Sequence, residues 1–159
     1  DDALRRKYRV VERISPGVKA LLDDMFDTMY HANGVGLAAP QVGILRRVVV
    51  VDTGEQKVKL INPEIIYSEG EQTGQEGCLS IPNIVGIVKR PQSVVVTGIN
   101  ENGEKIELRS SGFTARAFCH EIDHLDGILF IDRAESDSLR RVIDANEKII
   151  YEPADDILL

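Results

Sequence analysis

At 159 residues the chain fits one domain able to bury a real core. Its hydrophobic share of 43%, with no apolar run near the ~20 residues that span a bilayer, excludes a helical membrane protein. A net charge of -7 argues against an extended nucleic-acid surface, which needs clustered Lys and Arg to displace counterions. The two cysteines, Cys78 and Cys119, are too few for a secreted disulfide framework and fit a reducing cytosol. The chain opens Asp1-Asp2 with no Met and no basic-plus-apolar leader, so it reads as a trimmed or processed segment.

Ser15-Pro16-Gly17 reads as a helix start, with serine as cap and proline in the first turn. Val18, Leu21, Leu22, Met25 and Met29 then repeat at helical spacing, and Asn33-Gly34 supplies the stop. Residues 48–51, four valines, read as a strand buried on both faces, and Leu60-Ile61 as part of another. Residues 84–89, 93–99 and 105–108 continue as strands, the last two paired across a turn at Asn102-Gly103. Residues 112–126 form a helix that Gly127 stops, followed by the apolar run Ile128 to Ile131. Leu139, Val142, Ile143, Ile149 and Ile150 predict a closing helix with a buried stripe. The sum is one α+β domain over residues 1–159. Mostly antiparallel strands surround a central helix, with further helices at the N- and C-terminal ends.

That central helix carries His120-Glu121-Ile122-Asp123-His124. Residues i and i+4 share a helix face, so two imidazoles there can grip one ion. The glutamate beside the first histidine reaches a water on that ion without ligating, the general-base arrangement of metal-assisted hydrolysis. Catalytic sites of this kind take a third protein ligand. The longer metalloprotease motif would put a histidine at 130, where this chain has Phe130. Glu135 and Glu147 are distal carboxylates with no recommending surroundings. Cys78 is the better candidate. It sits in a polar loop, Gln75 to Pro82, where Gly74 and Gly77 free the backbone for close approach. Cys119 lies mid-helix, rotated about 100° from His120, as a buried inert thiol would.

Three segments together resemble the peptide deformylase family. They are Gly34-Val35-Gly36-Leu37-Ala38-Ala39-Pro40-Gln41, Glu76-Gly77-Cys78-Leu79-Ser80 and His120 to His124, in matching order and separation. The resemblance implies a hydrolase that removes the N-formyl group from the initiator methionine of nascent polypeptides. It implies one divalent metal per chain on Cys78, His120 and His124, with Fe2+ native and Zn2+, Ni2+ or Co2+ as substitutes. Glu121 is then the general base and acid, and the Gln41 side-chain amide with the Leu79 N–H stabilises the oxyanion. Gly34, Val35 and Gly36 on one side and Gly77 on the other resemble walls holding an extended substrate. Val35, Phe113 and Ala117 line the methionine pocket on the same reading. Glu76 and Arg90 stand where the family braces the cysteine loop with an ion pair, and Asp123 anchors the helix. The position before the first histidine departs from the family's usual glutamine, being Cys119.

The implied partners are formylmethionyl nascent peptides and, transiently, the ribosome, in a bacterial cytoplasm or an organelle. The closing segment resembles the family's shorter subgroup that ends in a C-terminal helix. Arg133, Arg140, Arg141 and Lys148 would serve a ribosomal contact, which the acidic stretch Tyr151 to Asp156 would oppose.

Overall fold

A computed structural model describes residues 5, 7, 10–12, 15–145 and 148–154. Helix α1 (Pro16–His31) starts as its sequence dictates: Ser15 is extended, its hydroxyl accepts the Val18 N–H, and Pro16 follows. Asn33 then adopts a positive φ of 58° and ends it.

The valine run is the structural hub. Strands β1 (Gly36–Ala38), β2 (Val48–Asp52) and β3 (Lys57–Glu69) pair antiparallel, and a 3-10 turn, Ala39–Val42, follows β1. Strands β6 (Ser93–Ile99) and β7 (Lys105–Ser111) complete a five-stranded sheet in the order β1-β2-β3-β6-β7. Successive residues of β2 point to opposite faces. Val48 and Val50 meet Leu22, Met25 and Met29 of α1, whereas Val49 and Val51 meet helix α2 (Gly112–Leu125). Apolar helices on both faces explain why this strand has no polar alternation.

Eleven residues of α2 are buried, so it runs through the interior instead of over the surface. A second sheet, β4 (Gln72–Cys78), β5 (Ile81–Arg90), β8 (Arg140–Ala145) and β9 (Lys148–Pro153), lies in the order β4-β5-β8-β9. A one-turn helix α3 (Phe130–Arg133) and Leu139 pack on β5 in a third apolar cluster.

Two expectations are corrected. Residues 72–78 form strand β4, not a polar loop. That strand lacks apolar alternation because it is made by pairing to β5, from Gln72↔Arg90 to Gly77↔Val85, and not by its own propensity. The closing helix at the C-terminal end is instead the β8–β9 hairpin. A helical stripe continuing from Ile143 would need apolar residues at 146 and 147, and the sequence has Asn146 and Glu147 there. The β-branched pairs face each other across the strands, Ile143 opposite Ile150 and Val142 opposite Tyr151.

Candidate active site

Three elements converge on one cavity of about 530 Å3. Gly34, Val35, Gly36 and Gln41 come from the segment around β1. Gly77, Cys78 and Leu79 come from the end of β4 and the turn after it, and Phe113, Ala117, His120 and Glu121 from α2. Of the residues given catalytic, substrate-binding or metal-ligating roles in the sequence, His124 alone does not line the cavity, and it is fully buried. A larger depression of about 870 Å3, lined by Val10, Val18, Ile44 and Arg46 among others, includes no His or Cys and none of the three motifs.

Among the described residues, one ligand atom each from Cys78, His120 and His124 lie within 4.8 Å of one another. Cys78 Sγ is 3.2 Å from His124 Nε2. Donors of a tetrahedral site stand about 3.5 Å apart, so a thiolate and two imidazoles so placed fit a divalent ion. The β4 register shifts between Gly77 and Cys78, a bulge that re-aims the chain where the sulfur enters. Phe130 stacks on the His120 ring, with centroids 6.1 Å apart, and so packs where the longer protease motif would ligate. Glu135 pairs with Lys89 on the exposed side and is not in the cluster. Glu147 lies outside the described residues.

The ring of His120 is fixed by Glu76, whose Oε1 lies 2.9 Å from Nδ1. A proton on Nδ1 donated to that carboxylate leaves the Nε2 lone pair for a metal. Glu76 itself is held by Arg90, which donates from Nε and Nη2 at 2.9 Å, and by Arg116, which donates from Nη1 at 2.5 Å. Burial alone would raise the Glu76 carboxyl, but hydrogen bonds from Arg90 and His120 hold it down near about 2. Arg90 also donates to Asp123, which Arg133 clamps from outside. Asp123 thus ties α2 to β5.

The two rings sit in opposite electrostatic settings. Burial disfavours protonating His120, yet Glu121, Cys78 and Glu76 outweigh it and raise that ring to about 10. Burial, with the charges of His120 and Arg90, pushes His124 down to about 3. Burial also raises the Glu121 carboxyl, to about 7. Its Oε1 is buried without a hydrogen-bond partner among the described residues.

Gln41 is oriented by its own backbone. Its Oε1 accepts the Ala38 N–H at 2.8 Å, so its Nε2 faces the site, 3.5 Å from Cys78 Sγ and 3.1 Å from Ser80 Oγ. Gly36 gives Glu121 its room: a Cβ there would sit 2.5 Å from Glu121 Oε2.

Arg116 escaped the sequence reading. It stands one helical turn before His120, buried to 6% exposure, and an arginine on an apolar helix face was the signal available. Both cysteines are unbridged, and burial pushes the Cys119 thiol up to about 11.

A helix-borne pair of histidines clustered with a strand-end cysteine, beside a buried glutamate, defines the chain as a candidate mononuclear metallohydrolase. The family model for polypeptide deformylase matches residues 1–140, and the chain belongs to that family. Peptide deformylase 2 of Clostridium acetobutylicum is 57% identical over 133 residues, 83% of this chain and 89% of the relative. Peptide deformylase of Acetivibrio thermocellus is 59% identical over 133 residues, covering 84% of this chain and 78% of that one. The crystal structure of peptide deformylase from Thermotoga maritima superposes with a TM-score of 0.83 at 42% identity, covering 86% of this chain and 93% of that one. A Synechococcus elongatus peptide deformylase in complex with actinonin gives 0.83 at 43% identity, over 86% and 75%.

Proposed function

We propose that this chain, as one catalytic domain over residues 1–159, removes the N-formyl group from the initiator methionine of nascent polypeptides and releases formate. The placement of Glu121 carries the proposal. Its carboxylate is buried beside the three-donor cluster, with one oxygen unpartnered and its proton affinity raised toward neutrality.

Held by Cys78, His120 and His124, a divalent cation, with Fe2+ as the native ion and Zn2+, Ni2+ or Co2+ as substitutes, would supply the Lewis acidity that activates water. Glu121 accepts one proton from the attacking water as its oxygen adds to the formyl carbon. It then delivers a proton to the departing amine nitrogen as the C–N bond breaks, leaving formate and a free methionine amine. The Gln41 Nε2 and the Leu79 N–H donate to the oxyanion formed on the formyl oxygen; losing one such donor costs about 3 kcal/mol in the transition state. Gly34, Val35, Gly36 and Gly77 line the same cavity, and on this reading the peptide backbone lies along them as an added strand. The methionine side chain enters beside Val35, Phe113 and Ala117.

The reading places the reaction in a bacterial cytoplasm, where nascent chains emerge and thiols stay reduced. Contact with the ribosome is transient on this account. Arg133 is engaged by Asp123, and Arg140 donates to the Asp137 and Leu139 carbonyls, which draws two of the expected basic side chains into the fold.

Glu121→Gln tests the assignment. The variant keeps its metal and loses formate release by at least a hundredfold; a variant that keeps activity would refute the role given to Glu121.

A further inference from the structure

The cavity extends past the walls that carry the motifs. Its lining passes from Cys78 across Asn83 and Val85 of β5 to Val142 of β8. β8 is seated on β5 through Ile84↔Arg141 and Val85↔Arg140. Val142, two residues beyond Arg140, shares the sheet face of Val85 and is half-buried. The family match ends at residue 140, so this part of the wall lies beyond it.

The hairpin is rooted firmly enough to serve as a wall. Leu139 and Ala154 are buried in the third apolar cluster, and the Ala154 N–H donates to the Leu139 carbonyl at 3.1 Å. Next to that root, the Ile87 N–H donates to Ser138 Oγ at 3.0 Å and the Ile87 carbonyl accepts the Glu135 N–H at 2.7 Å. Arg140, two residues before Val142 on the same face, directs its Nη1 to the Asp137 and Leu139 carbonyls. Val85 and Val142 therefore offer an apolar surface to whatever occupies that end of the cavity.

We propose that Val142 is a specificity-determining residue, and that β8 forms an outer wall of the peptide groove favouring apolar side chains after the formylmethionine. The inference rests on the deformylase reading. Paired strands stand about 4.8 Å apart, so β8 lies roughly 10 Å from β4, where Cys78 sits. That is beyond a methionine seated by Ala117 and His120, and within reach of a side chain from one of the residues that follow. An apolar side chain there covers Val85 and Val142, whereas a carboxylate would be desolvated against them.

The test measures kcat/KM of metal-loaded protein on formyl-Met-Leu-Leu, formyl-Met-Gly-Gly and formyl-Met-Glu-Glu. Wild type prefers the leucine peptide. Val142→Lys lowers its rate about tenfold, leaves the glycine peptide within twofold and raises the glutamate peptide. Val142→Thr, which keeps the shape and β preference of the strand, lowers the leucine-to-glycine ratio about threefold, so a folding defect in the lysine variant does not decide the outcome. Ratios unchanged in Val142→Thr, or an equal loss on all three peptides, overturn the proposal while wild-type formate release leaves the deformylase reading standing. Wild-type protein with its metal that releases no formate from any of the three overturns both.

Discussion

Gly36→Ala adds one methyl group where the fold has no room for it. The new Cβ would lie 2.5 Å from Glu121 Oε2, 2.8 Å from its Cγ and 2.9 Å from its Cδ, roughly 0.7–1 Å inside ordinary contact. Glu121 is only 5% exposed on a helix buried along most of its length, so the carboxylate must turn aside within a packed interior. Backbone strain plays no part, since Gly36 does not hold a positive φ. A displacement near 1 Å at a reacting group costs on the order of 100-fold in rate, and overpacking costs about 1–3 kcal/mol of stability. The three atoms nearest the new methyl all belong to Glu121. Steady-state formate release should show kcat down about 100-fold with KM little changed, while metal content stays at one per chain. A Gly36→Ala protein with kcat within threefold of wild type and a full metal complement would refute the argument that Gly36 exists to seat Glu121.

Two further outcomes follow from the same geometry. Glu76→Gln removes the charge that Arg90 and Arg116 share in the interior, leaving two buried guanidiniums without that counter-ion. The expected loss is about 3–5 kcal/mol; at a few degrees per kcal/mol this lowers the thermal midpoint by roughly 10 °C, and a shift under 2 °C would contradict it. The cysteines should separate by reactivity. Metal-loaded protein resists alkylation at both, and chelation exposes half-buried Cys78 while buried Cys119, its thiol held protonated, stays slow. Peptide mapping that finds Cys119 modified first would overturn the ligand assignment.

The site was more legible than the fold around it, for a physical reason. Metal ligation and proton transfer demand particular atoms at helical spacing, so His120, Glu121 and His124 announce themselves within five residues. Strands β2 and β6 were also plain, because β-branched runs buried on both faces leave little ambiguity. Strand β4 was not, since Gln72 to Cys78 has no apolar period and becomes a strand only through β5. The β8–β9 hairpin was hidden differently: Leu139, Val142 and Ile143 obey helical spacing, and only the polar Asn146-Glu147 breaks it. Arg116 was masked by its setting, an apparently apolar helix face whose partner, Glu76, lies 40 residues away in sequence. Local spacing brings the candidate ligands and base into view; long-range pairing decides which residues hold them still.

The central claim is best tested by formate release from anaerobically purified, iron-loaded protein given a formyl-Met tripeptide and its N-acetyl counterpart. The account predicts rapid release from the formyl peptide and no cleavage of the acetyl one, whose added methyl crowds the acyl carbon between Glu121, Gln41 and Leu79. No formate from fully metallated protein would contradict the deformylase reading, and cleavage within the peptide instead would turn Cys78, His120, His124 and Glu121 toward a different amide.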